Sequence, residues 1–189
     1  MKQLQRSLRA AAVRAEITDA SLLQRVAGGE PSALAMLYDR HAPGLLRFAR
    51  RVDPQDAEDL LQTTFLRVAG LAPRFDVSCA SARPWLFAIL MRVAQERSRA
   101  LRRFGRALQR LAELPRTAAS APPEIARDLE RGLQQLSVAK RSVLLLAEVE
   151  GFTCEEIAGM MQIPVGTVWT RLHHARRELR AWTSGELEP

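Results

Sequence analysis

Between Pro164 and Arg180 the chain sets Thr167, Trp169, Thr170, His173 and His174 among Arg171, Arg176, Arg177 and Arg180. At about 100° per residue, Val165, Val168, Leu172, Ala175 and Leu179 gather on one side of a helix and must pack inward, leaving the first set on the other side. Hydroxyl, indole and imidazole groups suit base edges in a groove, and guanidinium groups suit phosphate oxygens. Trp169 fits either a base or a partner surface. A second set is acidic: residues 52–66 hold Asp53, Asp56, Glu58 and Asp59, and no base. Such a segment repels a polyanion and suits a protein surface, although its first acids also complement a helix dipole. Covalent chemistry is not provided for. The sequence has no phosphate-cradling glycine loop, no paired carboxylates in a plausible pocket and no nucleophile with a nearby base. His173 and His174 lack a further histidine one turn away, and Cys79 and Cys154 read as inert buried thiols without metal-site spacing. Neither a cofactor nor a metal is expected.

The elements that position these groups are helices. Apolar residues recur at helical spacing, and alternating strand-like runs are absent from the pattern. Two bodies are expected, separated by Leu114 to Pro123 (LPRTAASAPP), which has no apolar stripe and reads as a linker. In the first body, 21–27 and 31–51 read as helices, the second bent or broken near His41 and Pro43. Asp53 is expected to cap a third helix with Pro54 in its first turn and Ala57, Leu60, Leu61, Phe65 and Val68 inward. A loop from Gly70 to Arg83 then leads to a fourth helix opening at Pro84. In the second body a long helix breaks near Ser137 and ends at Gly151. Thr153-Cys154-Glu155-Glu156 has the form of a capping box, and Pro164 is placed to open the last helix. Two short helices, a tight turn and a basic second helix make a helix-turn-helix.

The charge pattern agrees with a polyanionic partner. The 189 residues carry a formal +7, and 26 of the 28 basic residues are arginine, a bias that codon usage in a high-GC genome would also produce. Residues 83–116 alone hold nine arginines and two glutamates, a net +7 equal to that of the whole chain. The positive charge is therefore a patch rather than a diffuse excess. No apolar run is long enough to span a bilayer, and residues 1–16 lack the apolar core of a secretory signal, so a cytoplasmic, reduced setting is expected.

On these residues a resemblance stands out. The run 148–180 (EVEGFTCEEIAGMMQIPVGTVWTRLHHARRELR) resembles region four of bacterial RNA polymerase sigma factors of the extracytoplasmic-function (ECF) type. The run 53–67 (DPQDAEDLLQTTFLR) resembles region two of the same family, and Pro84-Trp85-Leu86-Phe87 is similar to the opening of its promoter-melting helix. The resemblance implies an all-α protein: an N-terminal extension (1–17), a region-two body (18–112), a linker (113–124), a region-four body (125–182) and a tail (183–189). It further implies docking on core RNA polymerase, through the clamp of the largest subunit and the flap of the second, and control by an anti-sigma factor that masks both surfaces.

By the same resemblance, Asp56, Asp59, Gln62 and Thr63 would face the clamp. The loop from Arg74 to Arg83 would form a pocket for an extruded minus-ten base, with Phe75, Asp76 and Ser78 near the base and Arg83, Arg92, Arg99 and Arg103 along the backbone. Thr167, Trp169, Thr170, Arg171, His173, His174, Arg176 and Arg177 would hold the minus-thirty-five element. Phe75 and Trp85 equally suit a core. Several positions depart from the family pattern: Arg92 stands where Asn is frequent, Gln62-Thr63 lacks the usual acid, Gln162 stands where glycine is common, and Trp169 replaces a Lys or Arg. The competing reading is a stand-alone helix-turn-helix regulator that binds an operator without polymerase.

Overall fold

The computed structural model describes residues 17–79, 81–109 and 124–183, and the regular structure among them is entirely helical. The first body holds α1 (Asp19–Ala27), α2 (Pro31–Val52), α3 (Ala57–Leu71) and α4 (Arg83–Gln109), with a 3₁₀ turn at Ala72–Arg74. The second holds α5 (Glu124–Gln135), α6 (Val138–Glu148), α7 (Cys154–Met161) and α8 (Val165–Thr183). The linker expected over 113–124 lies outside the described residues except Glu124, which opens α5. The extension (1–17) and tail (183–189) also lie outside them, except Ile17 and the helical backbone of Thr183.

Local chemistry sets most of the boundaries. Thr18 Oγ1 accepts from the Ser21 amide at 3.2 Å and starts α1. Gly29, at φ +82°, reverses the chain after α1, and the Arg25 guanidinium pairs with Glu30 across that turn. Ser81 Oγ accepts from the Arg83 amide at 3.1 Å at the head of α4, and Ser137 caps α6. The reciprocal box expected at Thr153 is formed: Glu156 N donates to Thr153 Oγ1 (3.2 Å) and Thr153 N donates to Glu156 Oε2 (2.8 Å).

Three expectations are corrected. The α2 helix does not break at His41 and Pro43 but runs continuously from Pro31 to Val52, carried by the buried stripe Leu37, Leu45, Phe48 and Val52. Packing along that stripe outweighs the single hydrogen bond that Pro43 removes. Asp53 does not cap α3. It terminates α2 through its amide to Ala49 O (2.7 Å), and α3 starts at Ala57 with Asp56 at the cap position. Cys79 is exposed rather than buried, while Cys154 is half-buried.

Helices α1 to α4 pack around Leu22, Leu37, Phe48, Leu60, Leu86 and Leu90, all fully buried. Helix α8 closes the second body, packed on α5, α6 and α7 over Val143, Leu146, Ile157 and Val168. Gly132 permits the approach of α5 to α8. A Cβ there would stand 2.7 Å from Trp182 Cδ1 and 2.8 Å from Leu179 Cδ1.

The two bodies share one continuous core. The Phe48 ring meets Phe87 edge-on at 5.1 Å, and Phe87 in turn meets Phe152 at 5.4 Å, so an aromatic ladder runs from α2 through α4 to the loop after α6. Beside it, Arg141 on α6 is only 5% exposed. Its guanidinium donates to Val52 O (2.6 Å) at the end of α2, and to Gln134 Oε1 (2.7 Å), Gln134 O (2.8 Å) and Leu136 O (3.0 Å) at the end of α5. Burial lowers the affinity of this arginine for its proton, and Asp53 opposes that shift. The charge sits where two helices present their negative ends, which is why a buried cation survives with carbonyl oxygens as its hydrogen-bond partners.

Replacing Arg141 with Met keeps the side-chain volume but strands these carbonyl groups, and a urea melt should show a loss of roughly 2–3 kcal/mol. Gly132→Ala should also destabilise, by about 1–2 kcal/mol, because the new methyl group enters the Trp182 ring. That sign is opposite to the usual gain for Ala over Gly within a helix.

Candidate nucleic-acid interface

The helix-turn-helix consists of α7, the corner 162–164 and α8. Its corner is a left-handed reversal made by a non-glycine residue: Gln162 has φ +53° and ψ +50°. Gln162 N donates to Gly159 O (3.4 Å) and Ile163 N to Ala158 O (3.1 Å), so the end of α7 is satisfied while the chain turns into α8. Val168, Leu172 and Ala175 are buried, as the periodicity predicts. Outward lie Trp169, 62% exposed, with Thr170, His173, Arg176 and Arg177 also exposed; Thr167, Arg171 and His174 are half-buried at the flanks. The His173 and His174 rings meet edge-on at 5.6 Å. Thr170 Oγ1 donates to Gly166 O (2.8 Å), and Arg176 pairs with Glu148, Nε lying 2.9 Å from its Oε1. The described residues of the first body make no extensive contact with α8, so this face is open to a duplex.

On the first body, α4 presents Arg92 and Arg99 to solvent on either side of Glu96, whose carboxyl is held below its usual range chiefly by the hydrogen bond from Arg67. Arg103 lies on α4, in a stretch whose side chains lie outside the described residues. In the preceding loop Asp76 and Ser78 are exposed and joined by a turn in which Ser78 N donates to Asp76 Oδ1 (2.9 Å). Phe75, read as either a core ring or a base contact, is 8% exposed and packs edge-on against Trp85 at 5.2 Å, within the core in this conformation. Arg83 also points elsewhere, towards Glu150 of the second body (2.6 Å).

The acidic helix α3 exposes Glu58, Asp59 and Gln62, with Asp56 and Thr63 half-buried. Arg97, from the basic helix, reaches Asp56 (2.6 Å) and Asp59 (3.6 Å). Two features of this face escaped the sequence reading. Leu66 is 70% exposed one turn beyond Gln62, and Tyr38 on α2 is also exposed, its ring 4.7 Å from that of Phe65. Leu66 falls off the inward stripe of Leu61, Phe65 and Val68, and that phase was the available signal.

One chain thus carries an open helix-turn-helix, a separate basic helix and an acid-edged helix with an exposed leucine. Comparison with known families matches residues 37–104 to the sigma-70 region 2 model and residues 126–179 to the sigma-70 region 4 model. The RNA polymerase sigma factor CarQ of Myxococcus xanthus is 34% identical over 173 residues, which cover 88% of this chain and 97% of that protein. The chain belongs to the ECF sigma factors of RNA polymerase. The ECF sigma factor SigL of Mycobacterium tuberculosis is 32% identical over 82% of this chain and 90% of its own length. Among solved structures, this sigma factor is similar to CnrH in complex with the cytosolic domain of CnrY (TM-score 0.62, 25% identity, covering 89% of this chain and 99% of that one). It is also similar to the Bartonella quintana sigma factor RpoE in complex with the anti-sigma factor NepR (TM-score 0.65, 25% identity, 79% and 96%).

The corner of the helix-turn-helix gives a direct check on this geometry. Glycine at 162 escapes the roughly 1–2 kcal/mol that a left-handed conformation costs an L-residue, less the entropy that glycine itself loses. Gln162→Gly should therefore stabilise the protein by about 0.5–1 kcal/mol in a denaturant melt.

Proposed function

We propose that this sigma factor binds core RNA polymerase and directs it to promoters, reading a minus-thirty-five element with α8 and a minus-ten element with α4 and the loop before it. Supporting this most strongly is the separation of surfaces on one chain: acids on α3, where the family region 2 match lies, and bases on α4 and α8. On this reading 18–112 and 125–182 are the two working units and 113–124 joins them. The base-reading groups are Thr167, Trp169, Thr170, His173 and His174. Arg171, Arg176 and Arg177 take phosphates beside them.

Asp56, Asp59, Gln62 and Thr63 face the polymerase clamp, with Leu66 as the apolar centre of that contact, and the second body meets the flap. Promoter melting needs no covalent step by this protein: a surface that binds the unpaired strand better than the duplex shifts the equilibrium, and extruding a base costs only a few kcal/mol. Asp76 and Ser78 at the loop tip and Arg92, Arg99 and Arg103 on α4 supply that surface, and Arg83 joins them once released from Glu150. Of the two structural relatives, CnrH is held by the cytosolic domain of CnrY and the sigma factor RpoE by the anti-sigma factor NepR. An anti-sigma partner for this chain, acting in the cytoplasm with the polymerase, follows from that likeness.

The decisive experiment is a gel shift and run-off transcription with purified core enzyme and a randomised promoter library. Tight, asymmetric promoter binding should require core. Full affinity of the isolated protein for a palindromic operator would instead establish the stand-alone regulator. Within the active complex, Arg99→Gln should lower the salt slope of promoter binding by roughly one unit, as removal of one phosphate contact requires.

A further inference from the structure

The indole of Trp169 is 62% exposed in the second turn of α8. Among the described residues its side chain has no hydrogen bond, ring contact or cation–π partner. An indole can bury about 150–250 Å² of surface, and the fold leaves most of that unused here.

The surroundings of the ring allow close approach. Helical side chains lean over the preceding turn, which here holds Gly166, where a Cβ would meet nothing within 4 Å. Val165, in the same turn, is 41% exposed. Thr170 has committed its hydroxyl proton to Gly166 O (2.8 Å), which leaves its γ-methyl and an acceptor lone pair for anything outside. The head of α8 therefore offers an apolar tip, and residues 165–170 carry no charged side chain. Residues 171–183 follow with four arginines and one glutamate, so the tip stands in a field that attracts a polyanion. Leu66, exposed on the acid-edged α3, has the opposite setting and suits a protein partner.

The N-terminal turns of a recognition helix are the part that enters a major groove. Base edges there present donors, acceptors and one apolar group, the C5-methyl of thymine. An uncharged indole cannot make the forked contact to guanine that arginine makes, nor neutralise a phosphate. The methyl group is the feature of the groove that matches it. We propose that Trp169 reads a thymine of the minus-thirty-five element through that methyl group, so that α8 selects an A·T pair at one position. The identity of the DNA rests on the sigma-factor reading, and the methyl contact is tested separately from it.

The full-length protein with purified core enzyme first selects its promoters from the randomised library. Each thymine of the selected minus-thirty-five element, on either strand, is then replaced singly by deoxyuridine, which keeps the base pair and its hydrogen-bonding edges and removes only the methyl. In competition binding at fixed salt, wild type should lose about fourfold at one position, the loss for one methyl withdrawn from apolar contact. Trp169→Ala should bind the thymine and deoxyuridine templates equally there, and its own selection should lose the A·T preference at that position alone. Thr170→Ser removes the neighbouring methyl, keeps the hydroxyl bonded to Gly166 O, and should retain the discrimination. Circular dichroism checks that both variants keep their helix.

A selected element without an A·T pair overturns the proposal. So does a wild type indifferent to deoxyuridine at every position, the result expected if Trp169 meets a protein partner instead. A methyl effect that survives Trp169→Ala, or that disappears in Thr170→Ser, assigns the contact to another group and overturns it too. Complete loss of promoter binding by folded, core-bound Trp169→Ala does the same, because one methyl contact is too weak to account for it. Tight binding by the wild type without core enzyme sinks the sigma-factor reading alone, and the same deoxyuridine series on that site then decides the contact at Trp169.

Discussion

The arrangement of the two bodies turns on one buried cation. Arg141 stands at the meeting point of two helix ends, and its guanidinium is shared between Val52 O on the first body and Gln134 and Leu136 on the second. A cation without solvent is tolerable only where negative potential is already organised, and helix C-termini supply it without a carboxylate having to be buried as well. The arrangement is incomplete: Nε of the same side chain is buried without a hydrogen-bond partner. Arg141 therefore positions α6 strictly, and with it the loop carrying Glu150 and Phe152, but it does so with less than full satisfaction of its own donors.

Opposite charges meet at several places between helices. Arg97 lies across from Asp56 and Asp59, so the acidic and basic helices of the first body are tied to each other rather than independent. Asp19 is embedded between Arg40 (2.6 Å) and His41 (2.9 Å). Burial raises its affinity for a proton, but the hydrogen bonds from His41 and Arg40 outweigh that and hold its pKa at about 2. Its pKa being depressed, this contribution to stability is present above the ordinary carboxylate range and fades as pH falls towards 2. The α1 helix is thereby secured to α2 throughout the neutral range.

Much of this was legible in the residues. The capping box at Thr153, the break at Ser137 and the inward stripe of α8 follow from local rules that depend on near neighbours in sequence. The helical class and the family followed from the same patterns. What sequence could not supply were outcomes decided by partners distant in the chain. Pro43 reads as a breaker until the whole length of α2 is buried on one side. Asp53 reads as a cap until α2 is seen to extend to it. Phe75 was read as a core ring or a base platform, and its contact with Trp85 selects the core in this conformation. Arg83 looks like one more member of a basic patch, because nothing local announces a carboxylate 67 positions away.

The ladder of Phe48, Phe87 and Phe152 has a thermal consequence. Apolar contacts weaken on cooling, because the heat capacity of hydrating their surfaces is large and positive, whereas an ion pair shielded by ordinary salt responds mainly to ionic strength. A seam built from both is therefore sensitive to two different variables. Cold relaxes its aromatic part, while its charged part, with the Glu150 side chain only 14% exposed, answers more weakly to electrolyte than a surface pair would.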